Sequence, residues 1–199
     1  DQEVIDFTQS IGGRLGLQTA VRPQDGSKSS KVTFSRPHQG PRTVERNVLH
    51  SLLRGEEMWG HDGHHKRVPS FVWSRGAEVR AAFLSGYLDA DGSVIQAKET
   101  GQITIVWSSV NRALLDDCQV LLESLGIRST VRTYQVPLGV KLPQGGSPGR
   151  IGDYSHLTVG HRIDRKLCQQ VLTPLISRKA ERLGTPVSER THVHVRDVC

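Results

Sequence analysis

"AAFLSGYLDADGSV", residues 81–94, runs through small and apolar residues and closes on two acids one residue apart, Asp89 and Asp91, followed by glycine. An amphipathic helix needs no such ending, and an ordinary turn rarely needs both carboxylates. The segment reads as a packed helix whose C-terminal end carries chemistry.

The chain around it has 199 residues, enough for one large or two small domains. Its hydrophobic content of 36% supports a globular core. A net charge of +6, supplied mostly by arginine, points to an anionic partner, most often nucleic acid. Cys118, Cys168 and Cys199 have no short paired spacing, so neither a disulfide framework nor a zinc motif is expected. Cys118 and Cys168 fall among apolar helical positions and are expected in the core. A reducing, intracellular (cytoplasmic) setting follows from this cysteine usage. No run is long enough to span a membrane and no signal peptide is visible, so no membrane partner is expected.

A repeat organises the chain. "LGLQTAVRPQ" at 15–24 and "LGIRSTVRTY" at 125–134 lie 110 residues apart. At that offset Asp6 matches Asp116, Gln9 matches Gln119, Gly16 matches Gly126, and Val21-Arg22 matches Val131-Arg132. A helical pattern precedes each Leu-Gly, and the glycine stops it. Each copy then gives two strands, about 19–23 and 31–36 in the first and 129–136 and 154–162 in the second. A helix follows, at 44–53 and at 164–172. The second copy has the longer loop, "VPLGVKLPQGGSPG" at 136–149. That copy opens with the quoted segment and a hairpin, "SVIQA" and "QITIVWSS". The counterpart in the first copy would lie about 26 residues before Asp1.

"LSGYLDADG", residues 84–92, resembles the LAGLIDADG motif of homing endonucleases. Leu84, Gly86, Asp89, Ala90, Asp91 and Gly92 match directly, and Leu88 stands for isoleucine. "HKRVPSFVW" at 65–73 resembles the Lys-x-Ile-Pro block of intein-borne members, and "SSVNRALLDDCQVLLESLGI" resembles the helix after their hairpin. The resemblance implies an α+β fold of αββαββα repeats with antiparallel, saddle-shaped sheets, the first repeat incomplete. It divides the chain into a first repeat at 1–75, a second at 76–188 and a tail at 189–199. It implies a site-specific double-stranded DNA endonuclease domain, intein-associated, hydrolysing phosphodiesters with Mg²⁺ or Mn²⁺.

The same resemblance assigns roles. Gly86 and Ser85 let two motif helices approach closely, with Asp89 shaping the turn below them. Asp91 is the metal-binding acid, and the carbonyl of Ala90 is a further ligand. A helix C-terminus is already negative, so carboxylates gathered there call for a hard cation. Lys66, in the Lys-x-Ile-Pro-like block, matches the catalytic lysine; Lys179 is its counterpart in the second half, with Arg178 as the alternative. Strand alternation leaves Gln102, Thr104, Thr130, Arg132 and Tyr134 outward in the second copy. Arg22 and Lys31 are outward in the first. With Lys98 these form the expected DNA-binding set.

"HDGHH", with His61, His64 and His65, reads as a solvated loop, and "THVHVRDVC", with His192 and His194, as an edge strand. The chain begins "DQEV" and ends "RDVC", without a splicing nucleophile or a terminal His-Asn pair, so splicing by this chain is not expected. Family catalysis pairs an acid from each of two motif helices. With Asp91 alone, weak or absent cleavage is expected unless the chain dimerises or meets a missing N-terminal segment. Two other functions fit the sequence: a non-catalytic DNA-binding module, and an RNA-binding, maturase-like protein.

Overall fold

A computed structural model describes residues 2–26, 29–37, 47–60, 62–135 and 153–184. In chain order the elements are α1 (Gln2–Arg14), β1 (Gln18–Pro23), β2 (Ser30–Ser35), α2 (Val48–Gly55), α3 (Ser70–Ser74), α4 (Ala77–Asp91), β3 (Gly92–Gln96), β4 (Ile103–Ser109), α5 (Arg112–Ser124), β5 (Thr130–Gln135), β6 (Asp153–Val159), α6 (Arg162–Val171) and α7 (Ser177–Leu183). This is the expected α+β composition, with antiparallel pairing throughout both sheets. His61, His192, His194, Cys199, the loop at 136–149 and the tail at 189–199 lie outside the described residues. So does the start of the helix expected from 44.

The chain forms two compact units that divide between Gly60 and His61, not between 75 and 76 as expected. The reason is a set of long-range bonds. The Arg67 guanidinium donates to both carboxylate oxygens of Asp117, at 2.7 and 2.6 Å, and the Asn111 amide donates to the Lys66 carbonyl at 2.6 Å. The block around Lys66 is therefore part of the second unit.

The first unit is α1, the β1–β2 hairpin and α2. Val21 and Val32 face each other across the hairpin and are half-buried; Arg22 and Lys31, the next pair, are exposed. The second unit contains the motif helix α4 and the β3–β4 hairpin, which have no counterpart among the described residues of the first. Beyond that, the helix ends are built alike. Gly16 and Gly126 take φ of +66° and +77°. Each N–H bonds back three residues, to Gly13 at 3.1 Å and to Glu123 at 2.9 Å. The next N–H, of Leu17 or Ile127, bonds back five, to Gly12 at 2.8 Å and to Leu122 at 2.9 Å. That pattern closes a helix with a left-handed glycine, so the two matching glycines of the repeat do the same work.

In the second unit the strands are ordered β3-β4-β6-β5. Helices cover one face, and the core lies between. Leu84 and Leu88 of α4, Leu115, Leu121 and Leu122 of α5, Ile105 and Trp107 of β4, and Leu157 and Val159 of β6 are all fully buried. The Trp107 indole N–H donates to the Leu84 carbonyl at 3.2 Å, which ties the sheet to the motif helix. Cys118 and Cys168 are free, buried thiols as expected, and burial pushes both up to about 12. Among the described residues no helix is long and apolar enough to cross a membrane.

Strand β6 stops at Val159 rather than 162, and α6 starts at Arg162 rather than 164. Asp164, in the first turn of α6, turns inward and accepts from the Arg128 backbone N–H at 3.0 Å, with His161 Nδ1 at 3.3 Å. That backbone bond, reinforced by the Arg128 guanidinium, holds the Asp164 carboxyl below its ordinary value of 3.8 despite burial. A carboxyl depressed in the folded state adds stability that is present above its unfolded pKa and is lost as pH falls through the folded one. Asp164→Asn is therefore expected to be less stable than the parent at pH 7 and to lose less on acidification below about pH 4. Parallel slopes of melting temperature against pH for the two proteins would reject this.

Candidate functional site

The end of the motif helix gathers several buried polar contacts. Helix α4 passes into β3 without a loop: Asp91 is its last residue and Gly92 the first of the strand. The Gly92 N–H bonds the Leu88 carbonyl, and a Cβ at Gly92 would lie 2.8 Å from that oxygen and from Leu88 Cα. The glycine after the second acid is thus a steric requirement of the abrupt turn.

The two acids part company there. Residues two apart on a helix point to different sides. Asp89 faces inward, 9% exposed, and accepts from the backbone N–H groups of Leu175 and Ile176 at 2.5 and 3.1 Å. Ser85, one turn earlier on the same side, accepts from the Thr173 N–H at 2.9 Å and donates to the Ala81 carbonyl at 2.7 Å. Together they fasten the connector between α6 and α7 to the motif helix. Ser85, expected on a helix–helix seam, and Asp89, expected to shape the turn, therefore both bond inside their own unit. Gly86, turned about 100° away, is exposed, with nothing within 4 Å of where a Cβ would stand. Asp91 and Ala90 are exposed at the tip.

Lys179 of α7 reaches the same end. Its buried ammonium donates to the Leu88 and Asp89 carbonyls at 2.7 and 2.8 Å. These are among the carbonyls a helix leaves unpaired at its C-terminus, and a cation there opposes the negative end of the helix dipole. Burial pulls the Lys179 pKa below its ordinary 10.5; Asp89 pushes it back up, Arg178 adds to the fall, and Asp91 opposes it. Beside it opens a cleft of about 350 Å³ lined by Ser93, Val94, Ile95 and Gln96 of β3 and by Arg178, Lys179 and Arg182. Its lining holds three cationic side chains and no carboxylate, which suits a phosphate oxygen.

Lys66 sits elsewhere in the second unit. Its side chain is exposed, and no hydrogen bond or ion pair joins it to Asp91 among the described residues. What fixes it is its backbone: Asn111 Oδ1 caps α5 by accepting from the Leu114 N–H at 3.1 Å while its amide holds the Lys66 carbonyl. Asn111 was absent from the expected site, although "SSVNRALL" carries the N-cap signature that would have found it. Arg182 was missed as well; its signal is the four-residue spacing from Arg178 on a short helix.

A group of three or more His, Cys, Asp or Glu side chains able to hold a metal does not occur among the described residues. With the Asp89 carboxylate and two carbonyls already engaged, the donors left at the tip are the Asp91 carboxylate and the Ala90 carbonyl. That set is compatible with Mg²⁺, which keeps several waters and uses one or two carboxylates beside substrate phosphates.

On the face of the sheet away from the helices, Thr130, Arg132 and Tyr134 of β5 are exposed, and Thr104 of β4 is half-buried. Val106 falls in the same outward set but is buried. Gln102 and Lys98 lie in the β3–β4 turn rather than on a strand, as the closing bond from the Ala97 N–H to the Gln102 carbonyl at 2.9 Å requires. In the first unit Arg22 and Lys31 are exposed directly opposite each other. Like charges so paired are destabilising unless an anion joins them.

Comparison with known proteins gives a family match over part of the chain. The description "LAGLIDADG-like domain" matches residues 78–143. The chain is 32% identical over 122 residues to elongation factor 2 of Methanopyrus kandleri, covering 61% of this chain and 9% of that protein. It is 35% identical over 109 residues to the homothallic switching endonuclease of Saccharomyces cerevisiae, covering 49% and 18%. It is 33% identical over 79 residues to ribonucleoside-diphosphate reductase NrdEB subunit alpha of Bacillus subtilis, covering 40% and 7%. The chain thus spans less than a fifth of the length of each of these relatives.

Proposed function

The chain carries a LAGLIDADG-like domain over residues 78–143, and from it we infer that this protein is a DNA endonuclease domain of the homing type, of intein origin. The similarity to an endonuclease supports the chemistry. The intein origin is supported by the other similarities. An elongation factor and a reductase have unrelated names, yet each resembles this chain over a tenth or less of its own length. A module inserted into different hosts produces that pattern.

The observation that carries the proposal is the division at the motif-helix end. One acid, Asp89, is consumed by folding, and the other, Asp91, is presented beside a cationic cleft. Asp91 and the Ala90 carbonyl would hold Mg²⁺ or Mn²⁺. Such an ion, when bound, would supply an acidified water and offset charge on the leaving oxygen. The chain's own residues do the rest: Arg178 and Arg182 draw a backbone phosphate into the cleft, and Lys179 holds the helix end in place below it. Lys179, expected as the second-half counterpart of the catalytic lysine, is assigned here to positioning, since its ammonium already donates to two carbonyls. Lys66 remains the candidate for stabilising developing charge if DNA brings it and Asp91 to one phosphate.

Arg132 is assigned to base reading in the major groove. Arg132→Ala is expected to weaken binding to the preferred duplex by about 1–3 kcal/mol if its guanidinium pairs with a guanine. Equal affinity of the two proteins for that duplex, measured by titration at one fixed salt, would remove the assignment.

A single open carboxylate is half of a two-acid centre, and this favours a second reading, a DNA-binding module without cleavage. One experiment separates the two. The chain is incubated with a supercoiled plasmid library in Mg²⁺, in Mn²⁺ and in chelator, alone and with a peptide bearing a LAGLIDADG helix. Metal-dependent nicking supports the endonuclease; tight, sequence-dependent binding with intact plasmid in every condition supports the module. Preference for folded RNA over duplex DNA would overturn both.

A further inference from the structure

Strand β6 lies between β4 and β5, and on its outer face sits a histidine that no reading above has used. Ser108, His156 and Arg132 stand directly opposite one another across β4, β6 and β5. Resting on the proposal that this face meets DNA, we propose that His156 reads a purine base edge in the major groove as a unit with Arg132, its ring braced by Ser108, Tyr134 and Tyr154.

The bracing is visible from three sides. His156 Nδ1 lies 3.1 Å from the Ser108 hydroxyl oxygen. The Tyr134 and Tyr154 rings meet the imidazole edge-on, with centroids 5.3 and 5.0 Å away at 74° and 82°. Such a ring loses little freedom on binding, which raises the yield of any contact it makes. The other nitrogen, Nε2, takes no bond from the described residues, and the residue is half-exposed. Burial lowers the His156 pKa below 6.5, which keeps the ring uncharged at neutral pH. A neutral imidazole with Nδ1 engaged offers one donor or one acceptor at Nε2, and a purine answers either. N7 accepts on adenine and guanine, and N6 of adenine donates.

The spacing also fits. Adjacent strands lie about 4.8 Å apart, and successive bases about 3.4 Å. Two side chains on one cross-strand row therefore meet the same base pair or neighbouring ones. Arg132 brings the strong bidentate contact to guanine, and His156 adds a second, uncharged contact beside it.

The test selects preferred duplexes from a randomised library with the full chain, then repeats the selection with His156→Ala, Arg132→Ala and Ser108→Ala. His156→Ala is expected to lose about tenfold discrimination at one or two adjacent base pairs. Those pairs should coincide with, or adjoin, the ones relaxed by Arg132→Ala, with affinity for unrelated duplex unchanged. Ser108→Ala keeps the imidazole but frees it, and a smaller loss at the same pairs is expected; this variant decides the matter if His156→Ala melts. Unchanged preferences in both variants, or an equal fall on all sequences, would overturn the assignment and leave the DNA-binding face standing. A parent chain that selects no duplex at all would overturn that face as well.

Discussion

Asp91→Asn is expected to reduce metal-dependent strand cleavage about a thousandfold or more while leaving the fold and the affinity for duplex DNA intact. The expectation follows from the loss of roughly 4 kcal/mol of charge stabilisation when an ion loses its one carboxylate anchor. Asparagine has the same shape but presents a neutral oxygen, so the tip loses charge and little else. Asp91 is exposed and accepts no hydrogen bond from the described residues. Thermal unfolding of the variant should therefore overlay that of the parent. Titration with Mn²⁺ in the presence of duplex gives a second readout that does not need turnover, and the variant should bind the ion at least tenfold more weakly. Cleavage by the variant at the parental rate would end the assignment of Asp91.

The neighbouring acid should behave in the opposite way. Asp89→Ala is expected to cost about 3 kcal/mol of stability, because hydrogen bonds to a charged group contribute about 1.5–3 kcal/mol each and a buried and a half-buried N–H would lose their acceptor. The Leu175 and Ile176 amides have the Asp89 carboxylate as their bonding partner, and Ile176 is the N-cap residue of α7. Freed from it, α7 should loosen, carrying Lys179, Arg178 and Arg182 away from the helix end. Urea unfolding measures the loss directly. Asp89→Asn, which keeps an acceptor oxygen, should fall between the parent and the alanine variant. A melting temperature unmoved by Asp89→Ala would show that the connector is held by something else.

The repeat, the helix ends and the identity of the motif were legible from residues alone because each rests on local physics. A left-handed glycine after a helix leaves its mark within six residues, and Gly16 and Gly126 carry the same mark 110 positions apart. Alternation along β5 and along β1–β2 correctly divided inward from outward side chains, since strand period is a backbone property. The assignments that shifted are those that depend on partners distant in the chain. Ser85 was expected on a seam between motif helices and instead bonds Thr173. The block around Lys66 was expected with the first repeat and instead bonds Asn111 and Asp117.

The sequence by itself determined that a packed helix ends in an acid pair at 89–91 followed by glycine, and that strand alternation puts polar side chains on one face. Which acid serves the fold and which faces the solvent was decided only in three dimensions. The partners that settle it, Leu175, Ile176 and Lys179, come from nearly ninety residues further along the chain. A hydrogen bond across such a distance requires no pattern around either end; it forms because packing of the helices against the sheet brings an unpaired N–H to a carboxylate that would otherwise be buried alone.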